Sequence, residues 1–583
     1  MLEKYETQIS NILIIGSGGA GLRAAIECKK YGMSVSVVGK RNKLDVHTVL
    51  AAGGINAAFG NIDKNDSWEK HFADTFIEGY EIGDPRTIEI MSKESPELVM
   101  EIDSWGADLE KNAEGLIDQR FFGAHSYRRT CYSGDHTGRQ ILKALLLKAK
   151  SMKIKINDSI YVTDLLVKEN VCFGATSFDI NTGKKIVHLS DAVIIAAGGH
   201  TRIWNKSSSR RDENTGDGFY LGLNAGCELI DLEMTQFHPT GMLMPEELAG
   251  TLVTEAVRGE GGKLFNSLGE RFMDKYDKNR MELSTRDRVA MANYTEIQEG
   301  RGTPNGGVFL DISHKDKDFI LEKLPSIYKQ FIDLQKLDIS KNPMEVAPTA
   351  HYSMGGILVS PDEHKTSVDG IFACGEVAGG LHGANRLGGN SLAEILIFGK
   401  RAGKFASLYS KEIKYQQRSK KIVQENFDKI NNFIKNGNEM GRLIEDELQK
   451  IMWEHCGVVR DHESLKKGLE KIRILRIRLN DLDVRVGSTG FSDLSLAFSL
   501  DASILTAEAT IMSALKRKES RGSHQRSDFP NLITREKCNY LAKLNDSGEL
   551  IINKKELPPL SPYFQKIVKQ TKTIDSFKNK LLE

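Results

Sequence analysis

Residues Asn11–Ala24, NILIIGSGGAGLRA, constrain this chain more than any other stretch. The aliphatic run Ile12–Ile15 has the texture of a buried parallel strand. It turns directly into Gly16-Ser17-Gly18-Gly19-Ala20-Gly21, and a helix follows with Leu22, Ala25 and Ile26 on one face. Gly16 permits the tight turn. Gly18 leaves room for a pyrophosphate against the backbone, and Gly21 lets the helix pack close to the strand with its N-terminus toward the phosphates. A glycine-rich turn alone carries no ligand, but strand before and helix after supply the required setting.

The second strand, Ser34–Val38, ends in Gly39-Lys40, where an acidic residue would ordinarily meet a ribose 2′-OH. That departure argues against a common NAD dehydrogenase. FAD remains open, because the adenosine ribose can be held from elsewhere; Lys40 and Asp217 are candidate cofactor contacts.

At 583 residues the chain exceeds one compact core, and three or four domains are expected. The net charge of +1 gives no nucleic-acid footprint. The 7 cysteines are scattered without a C-x-x-C pair, so no iron–sulfur or zinc framework is expected in this chain. Scattered thiols suit a reducing cytosol. MLEKYETQIS has neither an apolar h-region nor a twin-arginine pair. No apolar run approaches the ~20 residues of a membrane span, so membrane association is expected only through partners.

Residues 1–240 alternate strand and helix patterns, with a buried strand at Ala192–Gly199 and a helix opening at Thr215–Gly218. Residues 241–350 are richer in charge and resemble an insertion. The buried-strand signal returns at Asp369–Gly375, followed by a helix over Ser391–Ala402. This pattern predicts an α/β fold: a doubly wound FAD-binding domain (1–240 and 351–410) interrupted by an α+β capping domain (241–350). Apolar positions at Ile422, Phe427, Ile430 and Phe433, then Leu465–Leu479 and Ser495–Leu515, predict a helical domain over 411–520. A small C-terminal domain, 521–583, follows as a polar stretch marked by Leu557-Pro-Pro-Leu-Ser-Pro562.

His47 sits in Val-His-Thr-Val-Leu-Ala-Ala-Gly-Gly-Ile, just after the second strand, where a doubly wound flavoprotein places its ring system. A lone histidine is usually an ordinary core or surface residue. Its neighbours resemble the covalent flavin-attachment segment of succinate dehydrogenase and fumarate reductase flavoprotein subunits. The resemblance continues in order through Phe237-His-Pro-Thr-Gly241, Thr254-Glu-Ala-Val-Arg-Gly-Glu-Gly-Gly262, Gly269-Glu-Arg-Phe-Met273 with Arg286-Asp287, His351–Gly356, Gly383–Leu392, and Glu519–His524 with Arg526–Pro530. It implies FAD linked through His47, with Thr48, Ala52, Gly53, Gly54, Ala197, Gly198, Glu376, Asn390, Ser391 and Leu392 as further cofactor contacts.

A four-carbon dicarboxylate needs a cationic clamp at each end and donors that fix its plane. His238, Thr254, His351 and Arg386 are the right kinds of group, and the resemblance assigns them the carboxylates. Free guanidinium is a poor acid or base, yet the resemblance makes Arg286 the proton carrier, with Glu255 and Arg258 relaying to solvent. Their i, i+3 spacing suits that relay or a purely structural pair. The N-terminus of the helix at Ser391 can stabilise negative charge on reduced flavin.

Two departures from the family stand out. Ala52 occupies a position where the family often has glutamine. Residues 123–133, GAHSYRRTCYS, partly resemble L-aspartate oxidase, but Phe122 stands where that enzyme has an acid for the substrate amine. The expectation is a catalytic flavoprotein subunit interconverting succinate and fumarate, with succinate oxidation favoured by a covalent flavin. Electrons would pass to an iron–sulfur subunit, then to quinone at a membrane anchor, placing the chain on the cytoplasmic face of the membrane. The alternatives are L-aspartate oxidase and a non-catalytic FAD-binding assembly subunit.

Overall fold

The computed structural model describes residues 5–487, 490–535 and 537–581. Its central strand, Glu6–Ile15, pairs in parallel with Val35–Val38 on one side and Lys185–Ile195 on the other, with Ile12 opposite Val35 and Ala192. Lys155–Asn157 extends one edge in parallel. Beyond Lys185–Ile195 lie Ile371–Ala373, parallel to its C-terminal half, and the antiparallel pair Val171–Asp179 and Ile160–Lys168. The seven strands form one sheet. Burial on both faces explains why Ile12–Ile15 is continuously aliphatic.

The glycines behave as their spacing predicts. Gly16 has φ +118°, and a Cβ there would lie 2.1 Å from the Ala196 carbonyl oxygen. A Cβ on Gly21 would lie 1.9 Å from the Gly16 carbonyl oxygen, so helix Gly19–Lys30 packs directly on the turn. Helix Asn390–Glu412 crosses that helix, and Cβ atoms on Gly399 and Gly403 would meet the Ala20 and Ala24 carbonyl oxygens at 2.7 and 2.5 Å. This crossing joins the two sequence-distant parts of the nucleotide-binding fold.

The cap is an antiparallel sheet in the order Thr235–Met242, Met344–Ser353, Val308–Asp311, Lys263–Phe265. Its first two strands straddle the expected boundaries at 240 and 350. The helical part comprises Lys420–Phe433, Gly441–His455, His462–Arg478 and Ser492–Lys516. They share a core built on Phe427, Leu448, Leu465, Ile472 and Phe498. Ser492–Lys516 is long and apolar enough to cross a bilayer, but 83% of its most apolar window is buried within the protein.

The C-terminal segment, read as a polar stretch, carries regular structure. Cys538–Leu544 and Leu550–Glu556 form a hairpin whose first strand pairs with Leu229–Ile230 of the nucleotide-binding part. Helix Pro562–Leu581 then returns, and Phe564 stacks on Phe72 at 4.0 Å.

The glycine crossing yields a direct prediction. Gly403→Val presses methyl groups onto the Ala24 backbone, and overpacking of this kind costs about 1–3 kcal/mol. A lowered thermal midpoint and poorer FAD retention are expected; an unchanged midpoint contradicts the close packing.

Candidate active site

One cavity collects most of the residues singled out in the sequence. Its wall includes Gly16, Gly18, Gly19, Ala20, Lys40, His47, Thr48, Ala52, Gly53, Gly54, Ala197, Gly198, Asp217 and Glu376. It continues to Phe122, His238, Thr254, Glu255, Arg286, His351, Arg386, Ser391 and Leu392. Gly21, Arg258 and Asn390 are not on the wall. Gly21 serves packing, as above. The Asn390 side chain is wholly buried behind the helix start, accepting from Asn56 at 2.7 Å and bonded to His71 at 2.8 Å, while donating to Thr75 at 2.9 Å. That side chain is turned to these neighbours rather than to the cavity wall.

The cradle fits FAD. The nearest atom to a Cβ on Gly18 would be Thr48 Oγ1 at 3.5 Å, so bare backbone faces the cavity beside a helix N-terminus. Lys40 donates to Asp217 at 2.8 Å, to Thr215 at 3.2 Å and to Ser499 at 3.2 Å. An acid from the start of helix Asp217–Ala225 is thereby brought beside the end of the second strand. Glu376 accepts from the Ser353 amide at 3.0 Å, and burial raises its pKa. His47 opens a short helical turn, and its Nδ1 lies 3.1 Å from Glu213 Oε2. Burial lowers the imidazole pKa, but the Glu213 hydrogen bond and the Glu213 and Glu376 charges outweigh it, and the net shift is upward.

The cap strands build the substrate side. Register places His238 opposite Thr349, two residues from His351, and the two imidazoles meet edge to face at 5.2 Å. His351 Nδ1 is bonded to Ser208 at 2.8 Å and His238 Nδ1 accepts from the Thr240 amide at 3.3 Å, leaving Nε2 of each for a ligand. Burial, with Arg286 beside His238 and Arg386 beside His351, pushes both pKa values well below the usual imidazole range. Both are neutral donors at pH 7.

Two guanidiniums converge on one atom: Gln236 Oε1 accepts from Arg286 Nη1 and from Arg386 Nη2, each at 3.0 Å. Arg386 also donates to Ser391 at 3.2 Å and lies 4.2 Å from the Tyr352 ring centroid. Its buried Nε has no hydrogen-bond partner among the described residues. Burial and the adjoining Arg286 push its pKa down to about 10. Glu255 Oε2 accepts from Arg286 Nε and Nη2 at 2.8 and 2.7 Å, and Arg258 Nη2 stands 3.9 Å from the same oxygen. Burial would raise the Glu255 pKa, but the two arginines hold it at about 2. Phe122 covers Gly53, whose Cβ would come within 2.8 Å of the ring. Sequence reading missed Gln236, Ser208 and Glu213. Only Gln236 carried a signal, standing immediately before Phe237-His-Pro-Thr-Gly241.

Family models match over most of the chain: an FAD binding domain over residues 11–392 and a fumarate reductase flavoprotein C-terminal region over 445–549. The chain belongs to the succinate dehydrogenase and fumarate reductase flavoprotein family. It is 44% identical to a fumarate reductase (CoM/CoB) subunit from Methanothermobacter marburgensis, covering 91% of this chain and 95% of that protein. Identity to the succinate dehydrogenase flavoprotein subunit of Rickettsia conorii is 34%, over 94% of each. The E. coli quinol fumarate reductase structure superposes with TM-score 0.90 at 30% identity, covering 96% and 98% of the two chains. This member of the family is an FAD-binding oxidoreductase with the α/β architecture expected from the sequence.

The neutral histidines set a pH dependence. Burial holds His71 and His200 at about 3 and His125 and His188 at about 4. Below pH ~6.5 the unfolded chain takes up protons that these sites refuse, so stability falls by about 1.4 kcal/mol per such histidine per pH unit. Thermal midpoints at pH 7.5, 6.5 and 5.5 are expected to drop steeply over the last step; a flat profile contradicts neutral burial.

Proposed function

We propose that the chain interconverts fumarate and succinate, and that fumarate reduction is its working direction. The observation that carries this reading is the Arg286–Arg386 pair on one amide oxygen, beside two neutral histidines and a glycine-lined FAD cradle. Crowded, desolvated cations favour an anionic ligand. The assignment of direction follows the greater identity to the fumarate reductase from Methanothermobacter marburgensis than to the succinate dehydrogenase from Rickettsia conorii, and replaces the succinate oxidation expected from sequence.

Arg386, with His351, grips one carboxylate, while His238 and Thr254 hold the other and fix the substrate plane. FAD, when bound, supplies hydride exchange at its N5. Arg286 holds its proton against the neighbouring carbon, which becomes basic as the first carbon is reduced. Glu255, whose Oε2 accepts from two nitrogens of Arg286, aligns that proton and takes part in its replacement through Arg258. Phe122 gives an apolar wall in place of an ammonium partner, which disfavours aspartate as substrate. The helix N-terminus at Ser391 and Leu392 faces the cavity and stabilises negative charge there.

His47 is the proposed point of covalent attachment, because Glu213 occupies Nδ1 and leaves Nε2 for the flavin. The 7 cysteines are all free and separately buried, so iron–sulfur ligands would come from a partner protein. Through that partner the chain would sit peripherally on the cytoplasmic face of a membrane anchor and exchange electrons with quinone. The CoM/CoB in the name of the Methanothermobacter relative favours a thiol-linked donor as a second reading.

Arg286→Ala is expected to lower fumarate reduction by reduced dye about 10²–10⁴-fold, with flavin content unchanged; retained turnover overturns the proton role. Aspartate should not reduce the bound flavin. On a denaturing gel the flavin fluorescence should migrate with the protein and be lost in His47→Ser; fluorescence that washes out with acid contradicts the covalent link.

A further inference from the structure

Behind the shared amide lies a second polar chain that the reaction scheme does not use. Gln236 is fully buried on strand Thr235–Met242. Its Oε1 faces two groups that can only donate, so its Nε2 must face away. That nitrogen donates to Asn385 Oδ1 at 2.8 Å and to the Arg386 carbonyl oxygen at 2.9 Å. The orientation of Asn385 follows: its Nδ2 donates to Glu78 Oε1 at 2.6 Å and to Asp287 Oδ1 at 3.1 Å. Tyr80 closes the far end, its hydroxyl donating to Asp287 Oδ2 at 2.6 Å. With donor-only groups at one end and acceptors at the other, neither amide can flip without breaking bonds at both of its ends.

We propose that Gln236, Asn385 and Glu78 are positioning residues: their one-way relay holds Arg286 and Arg386 at a single spacing, and that spacing decides which substrate carbon meets the proton. The proposal rests on the dicarboxylate reading above. Two cations side by side repel; Glu255 anchors Arg286 and Ser391 anchors Arg386, and the Gln236 oxygen bridges the two guanidiniums. Hydrogen bonds in series polarise one another. Acceptors behind Asn385 therefore strengthen the pull of Gln236 Oε1 on both guanidiniums. Burial and Asp287 push the Glu78 carboxyl well above its usual range, against the opposing charges of Arg280 and Arg286. A neutral carboxyl still offers its carbonyl oxygen to Asn385, so the relay needs an acceptor at position 78 rather than a charge.

The test uses the FAD-loaded full chain, with fumarate as oxidant and a reduced dye as donor, and kcat expressed per bound flavin. Asn385→Leu is expected to lower kcat about 10–100-fold and raise the solvent deuterium isotope effect, with the KM for fumarate within about threefold. Glu78→Leu should move the same quantities in the same direction, whereas Glu78→Gln, which keeps an acceptor, should stay within about twofold of wild type. A merely structural role would lower flavin content and melting midpoint while leaving kcat per flavin and the isotope effect unchanged, and that result overturns the relay. Equal losses in Glu78→Gln and Glu78→Leu overturn it as well. If Asn385→Leu binds no flavin, the Glu78 pair decides. Wild-type chain without fumarate turnover overturns the dicarboxylate reading instead, so the two failures are distinguishable.

Discussion

The site depends on one strand pairing. Thr235–Met242 and Met344–Ser353 run antiparallel at the junction of cap and nucleotide-binding fold, and register shifts lie between Gln236 and Phe237 and between His238 and Gly241. That pairing sets Gln236, His238 and His351 on adjacent strands. Arg286 arrives from the start of helix Arg286–Glu296 and Arg386 from the glycine-rich turn before helix Asn390–Glu412. Arg286 is also held by Glu255 and Arg386 by Ser391, and the side chain of Gln236 joins the two, so the cap strand links two sequence-distant cations.

The electrostatics follow from burial. Arg258 and Arg286 are packed around one carboxylate, Glu255, which is already committed to Arg286, and Arg386 adjoins Arg286 through Gln236. Neutral imidazoles, rather than further cations, fill the space between them. Adding protons there would raise repulsion without adding hydrogen-bond capacity, because the ligand needs donors and neutral imidazole already donates. Three guanidiniums and one committed carboxylate leave an excess of positive charge, and among the described residues the buried Arg386 Nε has no hydrogen-bond partner.

Legibility in the sequence followed the range of the signal. The glycine fingerprint was readable because strand, turn and helix are contiguous, and Gly16 and Gly21 make the close approaches their spacing implies. The arginines and histidines that line the cavity were readable as short ordered motifs. The cap boundary was displaced because its sheet borrows strands from both flanks, and strand continuity across a domain junction leaves no composition shift. The C-terminal hairpin was missed for a related reason: Cys538–Leu544 is completed by Leu229–Ile230, about 300 residues away, and its exposed partner strand is polar. Gln236 and Glu213 escaped notice because an amide or carboxylate that orients another residue has no spacing rule of its own. The direction of the Asn390 side chain was not readable either, because position at a helix start does not fix where a side chain points.

Everything at this site turns on a dicarboxylate reaching the flavin between Arg286 and Arg386. The most direct measurement is a stopped-flow single turnover: reduce the FAD-loaded chain anaerobically, mix it with fumarate, and follow flavin absorbance. Full reoxidation is predicted, with a rate that saturates in fumarate and one equivalent of succinate formed per flavin. Flavin that stays reduced at saturating fumarate, and reoxidises only when oxygen is admitted, would contradict it.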